Sequence, residues 1–198
     1  MIRLCFRTVR PRAVLLATLA VVPALSLNAC AAAARVAGAE RSIGESVDDA
    51  NLGVSVRSAL LRRDDFVLGG VDVTTFQGFV LLTGYVPTER DKQGAQALVE
   101  PIVGGPQNIG NALIIDNKPG VSSDAADGLI STEVRRRITG DPFIKGVNYE
   151  IITVDGVVHL LGAGRTAEEI ERAVDVARLT PNVKRVVSYV RLIPAGGL

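Results

Sequence analysis

Val71-Asp72-Val73-Thr74-Thr75-Phe76-Gln77-Gly78-Phe79-Val80-Leu81-Leu82-Thr83-Gly84 runs toward a Gln-Gly pair and then returns as an apolar stretch. Val71, Val73 and Thr75 share one face, Gln77-Gly78 makes a tight turn, and Val80, Leu82, Gly84 and Val86 come back, which describes a β-hairpin. The pattern recurs further along, where Ile151-Ile152-Thr153-Val154 and Val157-Val158-His159-Leu160 flank Asp155-Gly156. An Asp-Gly pair between apolar runs is the strongest short-range hairpin signal in the chain.

Working outward, an offset of 78 residues pairs Asp49 with Asp127, Leu52 with Ile130, Val56 with Val134, Arg57 with Arg135 and Leu60 with Ile138. It also pairs Thr75 with Thr153, Gly78 with Gly156, Val80 with Val158, Leu82 with Leu160, Gly84 with Gly162 and Thr88 with Thr166. The offset slips to 77 in the loop before the hairpin, where Phe66 and Gly69 meet Phe143 and Gly146. One unit is therefore written twice. Leu52, Val56, Ala59 and Leu60 lie at helical spacing, as do Ile130, Val134 and Ile138, with Asp124 a candidate N-cap for the second of these helices. Thr166 and Glu169 form a capping-box pattern ahead of a helix burying Ile170, Ala173, Val174 and Ala177. A last strand falls around Ile109 to Ile115 in one unit and Val183 to Leu192 in the other. The predicted order is αββαβ, twice, with Asp116 to Ser122 as a turn-rich connection.

That order resembles the BON domain. The resemblance rests on Gly78-Phe79-Val80-Leu81-Leu82-Thr83-Gly84 and a terminal Ile109-Gly110-Asn111 in unit one. In unit two it rests on Gly156-Val157-Val158-His159-Leu160-Leu161-Gly162 and Asn182-Val183. Gly164-Arg165 and Pro181-Asn182 depart from the usual pattern. The resemblance implies an α+β fold of two tandem BON domains, each a small three-stranded mixed sheet packed with two helices. Residues 48–115 and 124–193 are the expected domains, with a linker at 116–123 and a tail at 194–198. Domains this small, without disulfides or metals, have thin cores. They are therefore expected to pack on each other or on a partner, with the sheet face carrying Phe79, Leu81 and Tyr85 as the candidate contact.

The first 29 residues form a separate object. Arg3, Arg7, Arg10 and Arg12 precede an apolar run from Ala13 to Leu27, too short and interrupted for a comfortable membrane span. The run ends in Leu27-Asn28-Ala29-Cys30, which looks like a bacterial lipobox and implies acylation of Cys30. The alternative is an ordinary signal peptide cut after Ala29 or among the alanines that follow. Ala31, in place of Asp, implies export to the outer membrane, and residues 30–47 read as a lipidated N-terminus and flexible tether.

The 198-residue chain is 47% hydrophobic and 22% charged, with net charge +1. It is too apolar for a disordered chain and too balanced for one that coats nucleic acid. Residues 1–29 hold 4 of its 22 basic and none of its 21 acidic side chains, so the remainder has 18 against 21, net −3. Five Phe, three Tyr and no Trp provide no platform for sugars or unstacked bases. With one His and no acids at metal-ligand spacing, catalysis would rest on carboxylates, Lys and Arg alone.

His159 reads as a solvent-facing or interface strand residue. Asp124, Asp127, Glu168, Glu169 and Glu171 read as first-turn carboxylates at helix starts. The constellation suited to binding is Arg135-Arg136-Arg137, followed by Phe143, Ile144 and Lys145: a cation cluster beside a shallow apolar wedge, as anionic head groups require. The same residues also fit a structural reading, with the arginines complementing the helix dipole and Phe143 and Ile144 in the core. Unit one carries Arg57, Arg62 and Arg63 but also Asp64 and Asp65.

The sequence-based expectation is a non-enzymatic, lipid-anchored envelope protein without metal or cofactor, facing the periplasm from the outer membrane. By its resemblance it binds anionic phospholipid through the second domain and supports envelope integrity. Nucleic acid and small-molecule substrates are not expected. The alternatives are an interaction module for a protein or cell-wall partner, and an osmotic-stress periplasmic protein without direct lipid binding.

Overall fold

The structure, a computed structural model, describes residues 43–62, 70–116 and 121–193. The expected signal segment, Cys30, the tether up to residue 42, Arg63 to Gly69, residues 117–120 of the linker and the tail at 194–198 lie outside the described residues. Among the described residues the first repeat comprises α1 (Ile43–Leu61), β1 (Val71–Phe76), β2 (Phe79–Val86), α2 (Glu89–Val103), β3 (Ile109–Asn111) and β4 (Ile114–Ile115). The second comprises α3 (Val121–Gly140), β5 (Tyr149–Val154), β6 (Val157–Gly164), α4 (Ala167–Arg178) and β7 (Arg185–Leu192). The αββαβ order thus appears twice in an α+β chain. Two boundaries differ from the sequence reading. Residues 43–47, read as tether, are helical, and α3 opens at Val121, three residues ahead of the expected start at Asp124.

Each hairpin is antiparallel, with Val73 opposite Leu82 and Ile151 opposite Leu160. Both turns have positive φ at both central residues, Gln77 (46°) with Gly78 (73°) and Asp155 (49°) with Gly156 (71°). That geometry matches the strand twist and favours Asn, Asp and Gly. A carboxylate on the preceding helix holds each turn. Asp49 accepts hydrogen bonds from the Gln77 and Gly78 N–H groups at 2.7 and 2.9 Å, and Asp127 accepts from Asp155 and Gly156 at 2.7 and 2.8 Å. Asp127 therefore clamps a turn 28 residues away, which corrects its reading as a helix-start carboxylate. At Gly84 (φ 107°) the Gly70 carbonyl passes so close that an added Cβ would sit 1.8 Å from its oxygen. The repeated glycine thus marks a backbone contact between β2 and the residue before β1.

The sheets differ at their last strand. In the second repeat β7 runs parallel to β6 without a break. In the first, a two-residue step separates β3 from β4, both parallel to β2, giving four strands where three are expected. Within the step Leu113 turns into the core, 1% exposed, and its carbonyl accepts a hydrogen bond from Lys92 Nζ at 2.7 Å. The Ala112 N–H still reaches the Leu82 carbonyl at 2.9 Å, so the sheet holds across the break.

Residue alternation divides the interior into three layers. Val80, Leu82 and Val86 face Val56, Leu60, Ala95 and Val99 of α1 and α2, while Val158 and Leu160 face Val134, Ile138, Ala173 and Ala177 of α3 and α4. The opposite sheet faces meet each other through Phe76, Leu81, Leu161 and Ala163, with Phe79 and Tyr189 packed alongside. The face predicted from Phe79 and Leu81 is thus covered by the other repeat. The result is a helix–sheet–sheet–helix stack within one compact unit. Arg191 of β7 crosses between repeats, donating to the Gln77 carbonyl at 2.7 Å.

Candidate functional site

The sequence-predicted constellation lies where α3 ends and a loop returns past the start of α4. Asp141 shapes that loop, its carboxylate accepting the Phe143 N–H at 3.0 Å and its carbonyl the Ile144 N–H at 3.3 Å. The two apolar residues then part. Ile144 is 6% exposed and belongs to the second core, whereas Phe143 stands out at 66%. Ile144 therefore anchors the loop and does not form part of a surface wedge, because its neighbours in the core are Val134, Ile138 and Tyr149. Arg172 of α4 holds Asp141 through Nε at 2.8 Å and lies over the Phe143 ring, 4.8 Å from its centroid. The Asp141 carboxyl is drawn below its ordinary pKa by Arg172 and by the Phe143 N–H.

The three arginines share a helix but not a partner. Arg135 pairs with Glu150 at 3.1 Å, and Arg136 and Arg137 both pair with Glu133 at 2.7 Å. The two guanidinium groups pull the Glu133 carboxyl down to about 2. Three cations thus meet two carboxylates, leaving an excess of one positive charge at this end of α3. Leu179, which ends α4, adds a second exposed apolar side chain (75%), and Arg137 Nη1 donates to its carbonyl at 3.4 Å.

Behind this surface, Glu169 ties the loops together. It is 5% exposed, and it accepts from the Lys145 N–H at 2.9 Å, the Arg165 N–H at 3.2 Å and Arg165 Nε at 2.9 Å. Thr166 caps α4 as predicted, accepting the Glu169 N–H at 3.1 Å, but the Glu169 carboxylate serves the two loops instead of returning to Thr166. Burial and the nearby Glu169 charge raise the pKa of the Tyr149 phenol. A cleft of about 650 Å³ opens here, lined by Phe143, Arg165, Thr166, Glu168, Glu169 and Arg172. A shallower one, about 380 Å³, lies between Arg136, Arg137, Pro142 and Leu179.

Arg165, Arg172 and Leu179 escaped the sequence reading. Arg172 meets Asp141 across 31 residues, and no local spacing announces that pair. His159 is 5% exposed and stacks near Tyr189 with ring centroids 6.1 Å apart, making it an interface residue. Burial, aided by Arg185, lowers its pKa to about 4. Among the described residues there is no cluster of three or more His, Cys, Asp or Glu that could hold a metal ion. Nor, among them, is any helix long and apolar enough to cross a membrane.

Comparison with known proteins gives a consistent picture. The sequence profile of the BON domain matches residues 48–117 and 126–194. The chain is 32% identical over 149 residues to an uncharacterized protein in the gshII 5′ region of Anaplasma centrale, covering 74% of this chain and 95% of that protein. It is 29% identical over 164 residues to the outer membrane lipoprotein DolP of Haemophilus influenzae, covering 82% and 84%. It is 25% identical over 153 residues to the osmotically-inducible protein Y of Escherichia coli, covering 77% and 76%.

Proposed function

The chain belongs to the BON domain family, and from that premise we propose that it is a non-enzymatic envelope protein, anchored through Cys30, whose second repeat binds anionic phospholipid. The anchoring follows the Leu27-Asn28-Ala29-Cys30 pattern and the likeness to an outer membrane lipoprotein. The carrying observation is Phe143, held 66% exposed beside Arg172, on the loop whose preceding residue, Pro142, shares a shallow cleft with Arg136 and Arg137.

An apolar side chain projecting among cations can enter the head-group boundary while the guanidinium groups meet lipid phosphates. The carboxylate partners do not prevent this. Exposed ion pairs add little to stability, so a phosphate can replace Glu133 or Glu150 at small cost. Lipid acylation at Cys30 would supply the standing attachment, and the second repeat would set how the protein lies on the surface. The competing reading, a module that captures a protein through its sheet faces, loses support because those faces pack on each other.

Flotation tests the proposal, using the chain from residue 30 onward with Cys30→Ser, so that neither the apolar leader nor an acyl anchor contributes. Vesicles containing phosphatidylglycerol should carry the protein, and pure phosphatidylcholine vesicles should not. Changing Arg135, Arg136 and Arg137 to Glu should abolish the difference, and Phe143→Ala should weaken it. Equal flotation on both vesicles, or none, defeats the lipid reading. Mass spectrometry of the native N-terminus checks the anchor, an unacylated Cys30 being the contrary result.

A further inference from the structure

Glu168 and Arg172 stand four residues apart on α4, with Cβ atoms roughly 6 Å apart on one helix face. A Glu followed four residues later by Arg ordinarily closes an ion pair, yet here none forms. Arg172 is drawn to Asp141 through Nε and lies over Phe143. Its two terminal amino groups hold no protein acceptor among the described residues. Glu168 is exposed and kept ionised by its own backbone N–H and the Thr166 hydroxyl. Opposite charges are therefore held apart on the wall of the same cleft of about 650 Å³.

That arrangement selects among anions. A simple phosphate placed on Arg172 would meet repulsion from Glu168. A phosphodiester carrying its own cation at the Glu168–Arg172 spacing would satisfy both groups. A carboxylate can accept hydrogen bonds from a primary ammonium, whereas a quaternary one offers no N–H and is better served by an aromatic cage, which one Phe does not make. The Phe143 ring beside them suits the apolar part of a lipid.

We propose that this cleft receives the head group of phosphatidylethanolamine, its phosphate on Arg172 and its ammonium on Glu168. The proposal rests on the membrane-surface reading for the source of the ligand, but not on the α3 arginines. Those attract a charged surface, whereas the cleft chooses one head group upon it.

The test uses soluble head groups with the full chain carrying Cys30→Ser, followed by NMR titration. Glycerophosphoethanolamine should shift the resonances of Phe143 and the start of α4 and bind roughly fivefold or more tightly than glycerophosphoglycerol or glycerophosphocholine. Glu168→Gln should erase the preference, and Arg172→Ala should weaken every ester. Equal binding of the three esters, no binding at all, or a preference that survives Glu168→Gln overturns the proposal. Flotation on phosphatidylglycerol vesicles keeps the two readings apart. Flotation without ethanolamine preference removes the cleft assignment alone, whereas ethanolamine binding without flotation removes the anionic-surface reading alone.

Discussion

His159 shows what a single side chain can impose. Folding buries it neutral against Tyr189, so its pKa falls from 6.5 to about 4. Between those values the unfolded chain binds a proton that the folded chain refuses, and stability therefore rises with pH. The contribution is complete above pH 6.5 and is lost as pH falls through 4; integrated across that window it amounts to about 3 kcal/mol. Urea unfolding at pH 7.5 and pH 4 should show this loss, and His159→Phe should reduce it; an unchanged slope in the variant would rule the residue out. In the sequence the alternation assigned His159 to the face away from Val158. Its burial became visible only when the other repeat covered that face.

At the scale of elements, the turns carry the same lesson. Gln77-Gly78 and Asp155-Gly156 were legible because positive φ leaves few residue choices. The identity of Asp49 with Asp127 was also visible, but not its use, since the bonded partners lie 28 and 29 residues away. Asp127→Ala should leave two turn N–H groups without acceptors and cost about 2 to 4 kcal/mol, measured as a fall in urea midpoint. Asp127→Asn, which keeps one carbonyl acceptor, should cost less; equal costs would show that packing and not acceptance matters. The split of β3 from β4 left no local sequence signal, since the hydrogen bond found at the step joins Lys92 to the Leu113 carbonyl across 21 residues. The candidate surface was half legible in the same sense. The arginine run and Phe143 are contiguous features, whereas Glu169, Arg172 and the inward Ile144 depend on how α4 lies against the loop.

Across the whole molecule, the repeats share a buried layer of Phe76, Leu81, Leu161 and Ala163. Two small domains joined this way should unfold together, since each loses apolar cover when the other opens. Calorimetry of the full chain should give one transition, and Leu161→Asp, which places a charge at a site 1% exposed, should split it or remove the less stable repeat first. A single unshifted transition in that variant would mean that the layer does not couple the repeats.

The two faces of that layer are related by duplication but are no longer alike. Where the first repeat places Leu81 and the buried Thr83, the second places His159 and Leu161. Each face offers one bulky aliphatic residue and one polar residue, in opposite order along the strand. Two copies of the second repeat meeting symmetrically would bring two uncharged histidines into one dry layer. Two copies of the first would bring a second threonine hydroxyl there in place of Leu161. Divergence of the copies has thus made the association selective: a first repeat is matched to a second and not to another first, a discrimination that disfavours like-with-like pairing between neighbouring molecules.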